Sequence, residues 1–161
     1  MGAGANTLNQ CMEIGPDSSM NRTKNRALPM GKLSEKEAMI FGTLISVLGF
    51  CVLWFGNNPL NAGLGLLTLL TYILGYTPLK QKTVYNTWCG GITGALPPVM
   101  GWTAARGQLD WEVLPIFALL YFWQLPHFFA IAWMYRETTK EAVLKCFPIL
   151  IKTDKKLPYK C

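Results

Sequence analysis

Residues 38–79, AMIFGTLISVLGFCVLWFGNNPLNAGLGLLTLLTYILGYTPL, run 42 residues without one Asp, Glu, Lys or Arg. A helix rises about 1.5 Å per residue and the hydrocarbon core of a bilayer is about 30 Å thick, so roughly 20 residues cross it once. A stretch twice that length must turn back. The cluster Asn57-Asn58-Pro59 is its polar, helix-breaking point, which leaves residues 38–56 and 60–79 as two spans. Two further charge-free runs of 23 residues follow, 83–105 and 113–135, each long enough to cross. The whole chain has 161 residues, 51% hydrophobic and 15% charged, against roughly 25% charged in soluble domains. A soluble globule, a disordered tail and a basic nucleic-acid-binding domain are poor fits. The expected fold is all-α, a polytopic transmembrane helix bundle of about four complete spans. Its surroundings are the lipid bilayer and its partners include no nucleic acid.

The chain divides into a partial helix and polar loop (1–37), a four-span region (38–137) and a basic tail (138–161). Residues 1–15 are too short and too polar to cross alone, and no positive charge precedes Arg22, so they form neither a signal nor a transit peptide. The third span, about 84–102, carries Gly90, Gly91, Gly94, Ala95 and Gly101, small residues that let helices approach closely in lipid. Its Pro97-Pro98 pair lacks two backbone donors and predicts a kink or a broken helix. The fourth span holds Tyr121, Trp123 and His127. With four spans, residues 1–37, the Lys80/Lys82 loop and the tail share one side, which carries 14 of 15 cationic and seven of nine acidic residues. The positive-inside rule puts that side in the cytoplasm or matrix. Five scattered cysteines with no C-x-x-C pair read as small apolar residues or free thiols.

Three polar landmarks fall on or near the positive side. Asn9, Glu13 and Asp17 are spaced four apart, so on a helix they share nearly one face. Oxygen donors in that array suit a hard divalent cation, and magnesium takes one or two carboxylates while leaving positions for substrate phosphate. Arg22, Lys24 and Arg26 follow as a cationic cluster suited to a diphosphate. A polar helix end with i, i+4 pairing explains the same residues, and Pro16 places Asp17 past the helix end. Tyr76-Thr77-Pro78-Leu79-Lys80 closes the second span. It is either an interfacial anchor or a phenol and an ammonium over one cavity with the acids, to which Asn86 adds an amide. The sole histidine, His127, lies inside an apolar span, as hydrogen-bonded structure or as a functional group.

Four motifs together carry a family resemblance. Asn9-Gln10-x-x-Glu13-x-x-x-Asp17-x-x-Met20-x-Arg22-Thr23-x-x-Arg26 comes first, and Tyr76-Thr77-Pro78-Leu79-Lys80 second. Asn86-Thr87-Trp88 with Gly94-Ala95-x-Pro97-Pro98-x-Met100-Gly101-Trp102, and Trp123-Gln124-x-Pro126-His127-Phe128, complete the set. The chain resembles the haem-farnesylating branch of the UbiA family of intramembrane prenyltransferases from about Thr7 to Glu137. The resemblance implies magnesium held by Asn9, Glu13 and Asp17 against farnesyl diphosphate, with Arg22, Arg26 and Lys80 gripping the diphosphate. It implies an allylic farnesyl cation, stabilised by aromatic faces such as Tyr76 or Trp123 and attacked by a vinyl group of haem B (protohaem IX), giving haem O. Asn86, Trp123, His127, Arg136 and Glu137 would contact substrate, His127 by orienting the haem through its iron or a propionate.

The chain also departs from the pattern. Arg136-Glu137 begins a second acidic motif, but Thr138 stands where the next acid belongs. The nine-helix family bundle has spans that this sequence does not supply, which predicts a truncated member. Its expected placement is the mitochondrial inner membrane, with a bacterial plasma membrane as the alternative. The active side faces matrix or cytoplasm, and a homo-oligomer is compatible with the spans. Two other functions fit: a catalytically inactive membrane fragment of such an enzyme, or a UbiA-type prenyltransferase with a quinone-precursor acceptor.

Overall fold

The computed structural model describes residues 1–20, 23–82 and 86–134, the side chains at 80–82 and 132 excepted, and these residues form helices and turns with no strand among them. In chain order the helices are α1 (Gly2–Met12), α2 (Ile14–Ser19), α3 (Glu35–Gly56), α4 (Pro59–Leu70), α5 (Thr77–Lys82), α6 (Asn86–Arg106) and α7 (Leu114–Met134). A π-helical turn, Thr71–Tyr76, joins α4 to α5, and a 3₁₀ turn, Trp111–Val113, leads into α7.

Local chemistry sets the helix ends. Ser34 and Glu37 form a reciprocal capping box: the Ser34 hydroxyl accepts the Glu37 N–H at 3.3 Å and the Glu37 carboxylate accepts the Ser34 N–H at 3.0 Å. Asn58 caps α4, its Oδ1 accepting the Asn61 N–H at 2.7 Å, and Pro59 takes the first-turn position that needs no donor. The Asn57-Asn58-Pro59 turn thus lies where the sequence puts it.

Among the described residues, Glu35–Gly56, Pro59–Leu79 and Trp111–Ile131 are long and apolar enough to cross a bilayer. The protein is an integral membrane protein of all-α fold. The remaining expected span, α6, has 21 residues, but its glycines, threonines and Asn86 make it less apolar than the others. It is the helix packed against α4, α5, the π-turn and α7, so its small and polar side chains meet protein. α6 runs unbroken through Pro97 and Pro98, correcting the expectation of a broken helix there. A helix buried against neighbours on several sides tolerates the two missing donors.

Small residues set how closely the helices meet. α1 lies antiparallel on α3: a Cβ at Gly4 would strike the Gly42 carbonyl at 2.6 Å and the Ser46 hydroxyl, and one at Gly42 would meet Leu8 at 3.0 Å. α1 therefore enters the bundle alongside α3, with Met1 reaching the level of Gly49 and Gly65. The outer face of α3 carries Ile40, Leu44, Leu48, Val52 and Phe55, all exposed and suited to lipid tails. At the far end from Glu35, the Asn58 Nδ2 donates to the Thr103 carbonyl at 3.0 Å and ties α4 to the last turn of α6.

Candidate functional site

At the Glu35 end of the bundle, α1 breaks at Glu13 (φ −107, ψ 16), which ends α1 and begins α2. Pro16 then falls in the first turn of α2, where a missing N–H costs no intrahelical bond, so Asp17 is helical and not past the helix end. Asn9, Glu13 and Asp17 are buried, and despite the break all three line one cavity of about 350 Å³ with Gln10, Met20, Arg26, Tyr72 and Tyr76.

Hydrogen bonds hold these side chains in place. The Asn9 Nδ2 donates to Glu13 Oε2 at 2.8 Å. The Thr77 hydroxyl lies 3.1 Å from Asn9 Oδ1 and 2.9 Å from the Tyr72 carbonyl, and its single proton is shared between these two acceptors, which links the acidic motif to the end of the second span. Arg26 Nη1 donates to Asp17 Oδ2 at 2.6 Å, and the Thr23 hydroxyl to the Asp17 carbonyl at 2.8 Å. The loop carrying Arg26 is anchored by Leu28, buried with Cys11 and Ala38. It turns toward α3 at Gly31, whose φ of +69 is a left-handed conformation that favours glycine. Two carboxylates and an amide make a partial oxygen donor set, and no group of three His, Cys, Asp or Glu side chains that could cage a metal occurs among the described residues.

The π-helical turn supplies the aromatic wall. Thr77 N–H bonds to the Tyr72 carbonyl five residues back, and a turn of this kind often marks a functional site. It places the Tyr72 and Tyr76 rings in a stack, centroids 5.5 Å apart and planes 20° apart. A second cavity, about 580 Å³ and lined mainly by apolar groups of α1, α4, α6 and α7, shares Asn6, Tyr72 and Tyr76 with the first. Gly90 makes room for this wall, since a Cβ there would meet the Tyr76 ring at 2.8 Å.

Of the expected site residues, the structure thus gathers Asn9, Glu13, Asp17, Arg26 and Tyr76. Asn86 is buried at the start of α6 and accepts from the Thr87 hydroxyl at 3.2 Å, but lines neither cavity. Trp123 and His127 stack at 5.0 Å with planes 14° apart on an exposed face of α7. Their neighbour Phe128 is the α7 residue that reaches the apolar cavity. Arg22, Arg136, Glu137 and the Lys80 side chain lie outside the described residues, as does the 138–161 tail. Sequence reasoning missed Tyr72 and gave Thr77 no role. The Tyr72-x-x-x-Tyr76 spacing, in a span with no other aromatic residue, was the available signal for the first.

The model of the UbiA prenyltransferase family matches residues 1–159. A "Protoheme IX farnesyltransferase" of Solibacter usitatus is 45% identical over 92% of this chain and 51% of its own length. The human "Protoheme IX farnesyltransferase, mitochondrial" is 49% identical over 83% of this chain and 30% of its own, and the Arabidopsis thaliana protein of that name 46% over 84% and 31%. The chain spans about half the length of these relatives or less. No solved structure matches it.

Proposed function

The chain belongs to the UbiA prenyltransferase family, and from that premise we propose that it binds farnesyl diphosphate and serves transfer of the farnesyl group to a vinyl group of haem B, making haem O. One observation carries this reading: the polar cavity with Glu13, Asp17 and Arg26 and the apolar cavity have a common wall at Asn6, Tyr72 and Tyr76. An amphiphile with a compact anionic head and an isoprenoid tail matches that pair of spaces. The haem acceptor comes from the relatives' names and from the Trp123–His127 stack, a flat aromatic surface on the exposed face of α7.

The donor set fits magnesium, which accepts one or two carboxylates and leaves its other positions to phosphate and water. Asn9, Glu13 and Asp17 would hold it, and when bound it would neutralise charge on the leaving diphosphate. Arg26 would bind phosphate oxygens with the same guanidinium fork it now turns to Asp17, with Arg22 and Lys80 assigned beside it. Tyr72 and Tyr76 would face the allylic carbon, where cation–π attraction is worth about 0.5–2 kcal/mol per ring. Asn86, Trp123, His127, Arg136 and Glu137 are assigned to substrate binding. The cavity end would face matrix or cytoplasm, since the positive-inside rule puts the basic segments there.

Reconstitution of the 161-residue chain with farnesyl diphosphate, haem B and Mg²⁺ tests the reading, with haem O detected by mass. Binding of radiolabelled farnesyl diphosphate, abolished by Asp17→Ala, is expected. A chain that binds no farnesyl diphosphate overturns the proposal. That Trp123 and His127 line neither cavity favours a second reading, diphosphate binding without turnover; haem O formation would eliminate it.

A further inference from the structure

We propose that Thr77 is a positioning residue of this site, its hydroxyl fixing the Asn9 amide so that one oxygen lone pair stays available to a divalent cation. The inference rests on the metal reading above. Thr77 is 1% exposed and is 68 residues from Asn9 in sequence. A carboxylate only accepts hydrogen bonds, so the amide nitrogen of Asn9 must face Glu13 Oε2, 2.8 Å away. The amide oxygen then faces Thr77, whose hydroxyl donates. A flipped amide would set oxygen against oxygen at Glu13 and nitrogen against the hydroxyl. An amide oxygen has two lone pairs; Thr77 takes one and leaves the other.

The same hydroxyl also reaches the Tyr72 carbonyl, which accepts the Thr77 N–H as well. Thr77 therefore joins the oxygen donors of α1 to the π-turn that carries Tyr72 and Tyr76. Without the hydroxyl, Asn9 loses its orienting donor and Glu13 its fixed partner. Outer-shell groups of this kind are worth about 10–100-fold in metal affinity.

The probe is Mn²⁺ alone, titrated into the full chain in detergent micelles and followed by electron paramagnetic resonance. Two pairs isolate the hydroxyl: wild type against the isosteric Thr77→Val, and Thr77→Ser against Thr77→Ala, in which the lost methyl cancels. The hydroxyl-bearing member of each pair is expected to bind Mn²⁺ about 10–100-fold more tightly. Equal affinity within both pairs, with wild type binding, overturns the role of Thr77 and leaves the metal reading intact. A wild-type chain that takes up no Mn²⁺ overturns both.

Discussion

Arg26 Nη1 and Asp17 Oδ2 lie 2.6 Å apart, joining a side chain that is 36% exposed to one that is 5% exposed. They are nine positions apart in sequence, and the bond fixes the loop that carries Arg26 beside the acidic cavity, which both residues line. Leu28, packed on Cys11 and Ala38, holds the loop from its other end. Both side chains line the cavity to which the proposed function assigns the diphosphate and its metal.

Removing one partner leaves a buried charge without its counterion. Arg26→Gln is expected to cost about 1–3 kcal/mol, less than the about 3–5 kcal/mol of a fully buried pair because Arg26 is partly solvated. Asp17→Asn combined with Arg26→Gln should recover part of that loss. Denaturant unfolding in detergent measures the double variant and both single ones, Arg26→Gln and Asp17→Asn, and strictly additive effects would show that the two side chains are uncoupled.

Glycines of α6 provide an internal comparison. At Gly94 a Cβ would run into the Gln124 amide, and at Gly90 into the Tyr76 ring, whereas nothing lies within 4 Å of one at Gly101. Gly94→Ala and Gly90→Ala should each cost about 1–3 kcal/mol by overpacking, and Gly101→Ala should be neutral or stabilising by up to about 1 kcal/mol. Gly90→Ala should in addition weaken farnesyl diphosphate binding by displacing Tyr76. Thermal unfolding and ligand binding on the three variants check both statements.

Cys11 should resist alkylation. Burial, and then the Glu35 carboxylate, push its thiol up from the ordinary value, so less thiolate is present at any given pH and little of it is accessible. Peptide-resolved labelling with N-ethylmaleimide should leave Cys11 unmodified in the folded chain at neutral pH and modify it after unfolding. Rapid labelling of folded protein would mean that the Leu28 loop opens.

Asn58 acts at the end remote from the cavity, capping α4 and donating to Thr103. Asn58→Ala is expected to lower stability by about 1–2 kcal/mol through the lost cap and to leave Mn²⁺ affinity unchanged. A fall in Mn²⁺ binding would show that the two ends of the bundle are coupled.

Much of this architecture is legible in the chain because bilayer thickness acts on short windows of sequence. The charge-free runs 38–79 and 113–135 mark the three helices that are long and apolar enough to cross, Asn57-Asn58-Pro59 marks a turn, and Asn9, Glu13 and Asp17 mark an oxygen donor array. Each follows from local composition or spacing, so no knowledge of neighbours is required. The proline readings fared less well. Pro16 looks like a helix end and Pro97-Pro98 like a break, yet a first-turn position excuses one and packing against other helices excuses the pair.

Rotation of each helix about its axis, and which distant groups then meet, only the tertiary structure decided. Hydropathy is indifferent to facing direction when a span is apolar all round, so nothing in the local pattern turned Trp123 and His127 outward while Phe128 reached the cavity. The Thr77–Asn9 bond bridges 68 residues, and it exists because a π-turn adds one residue per loop of helix and because Gly4 and Gly42 let α1 settle close on α3. Sequence alone determined a membrane protein with carboxylates, an amide and cations near one end. Close packing at glycines turned them toward one another.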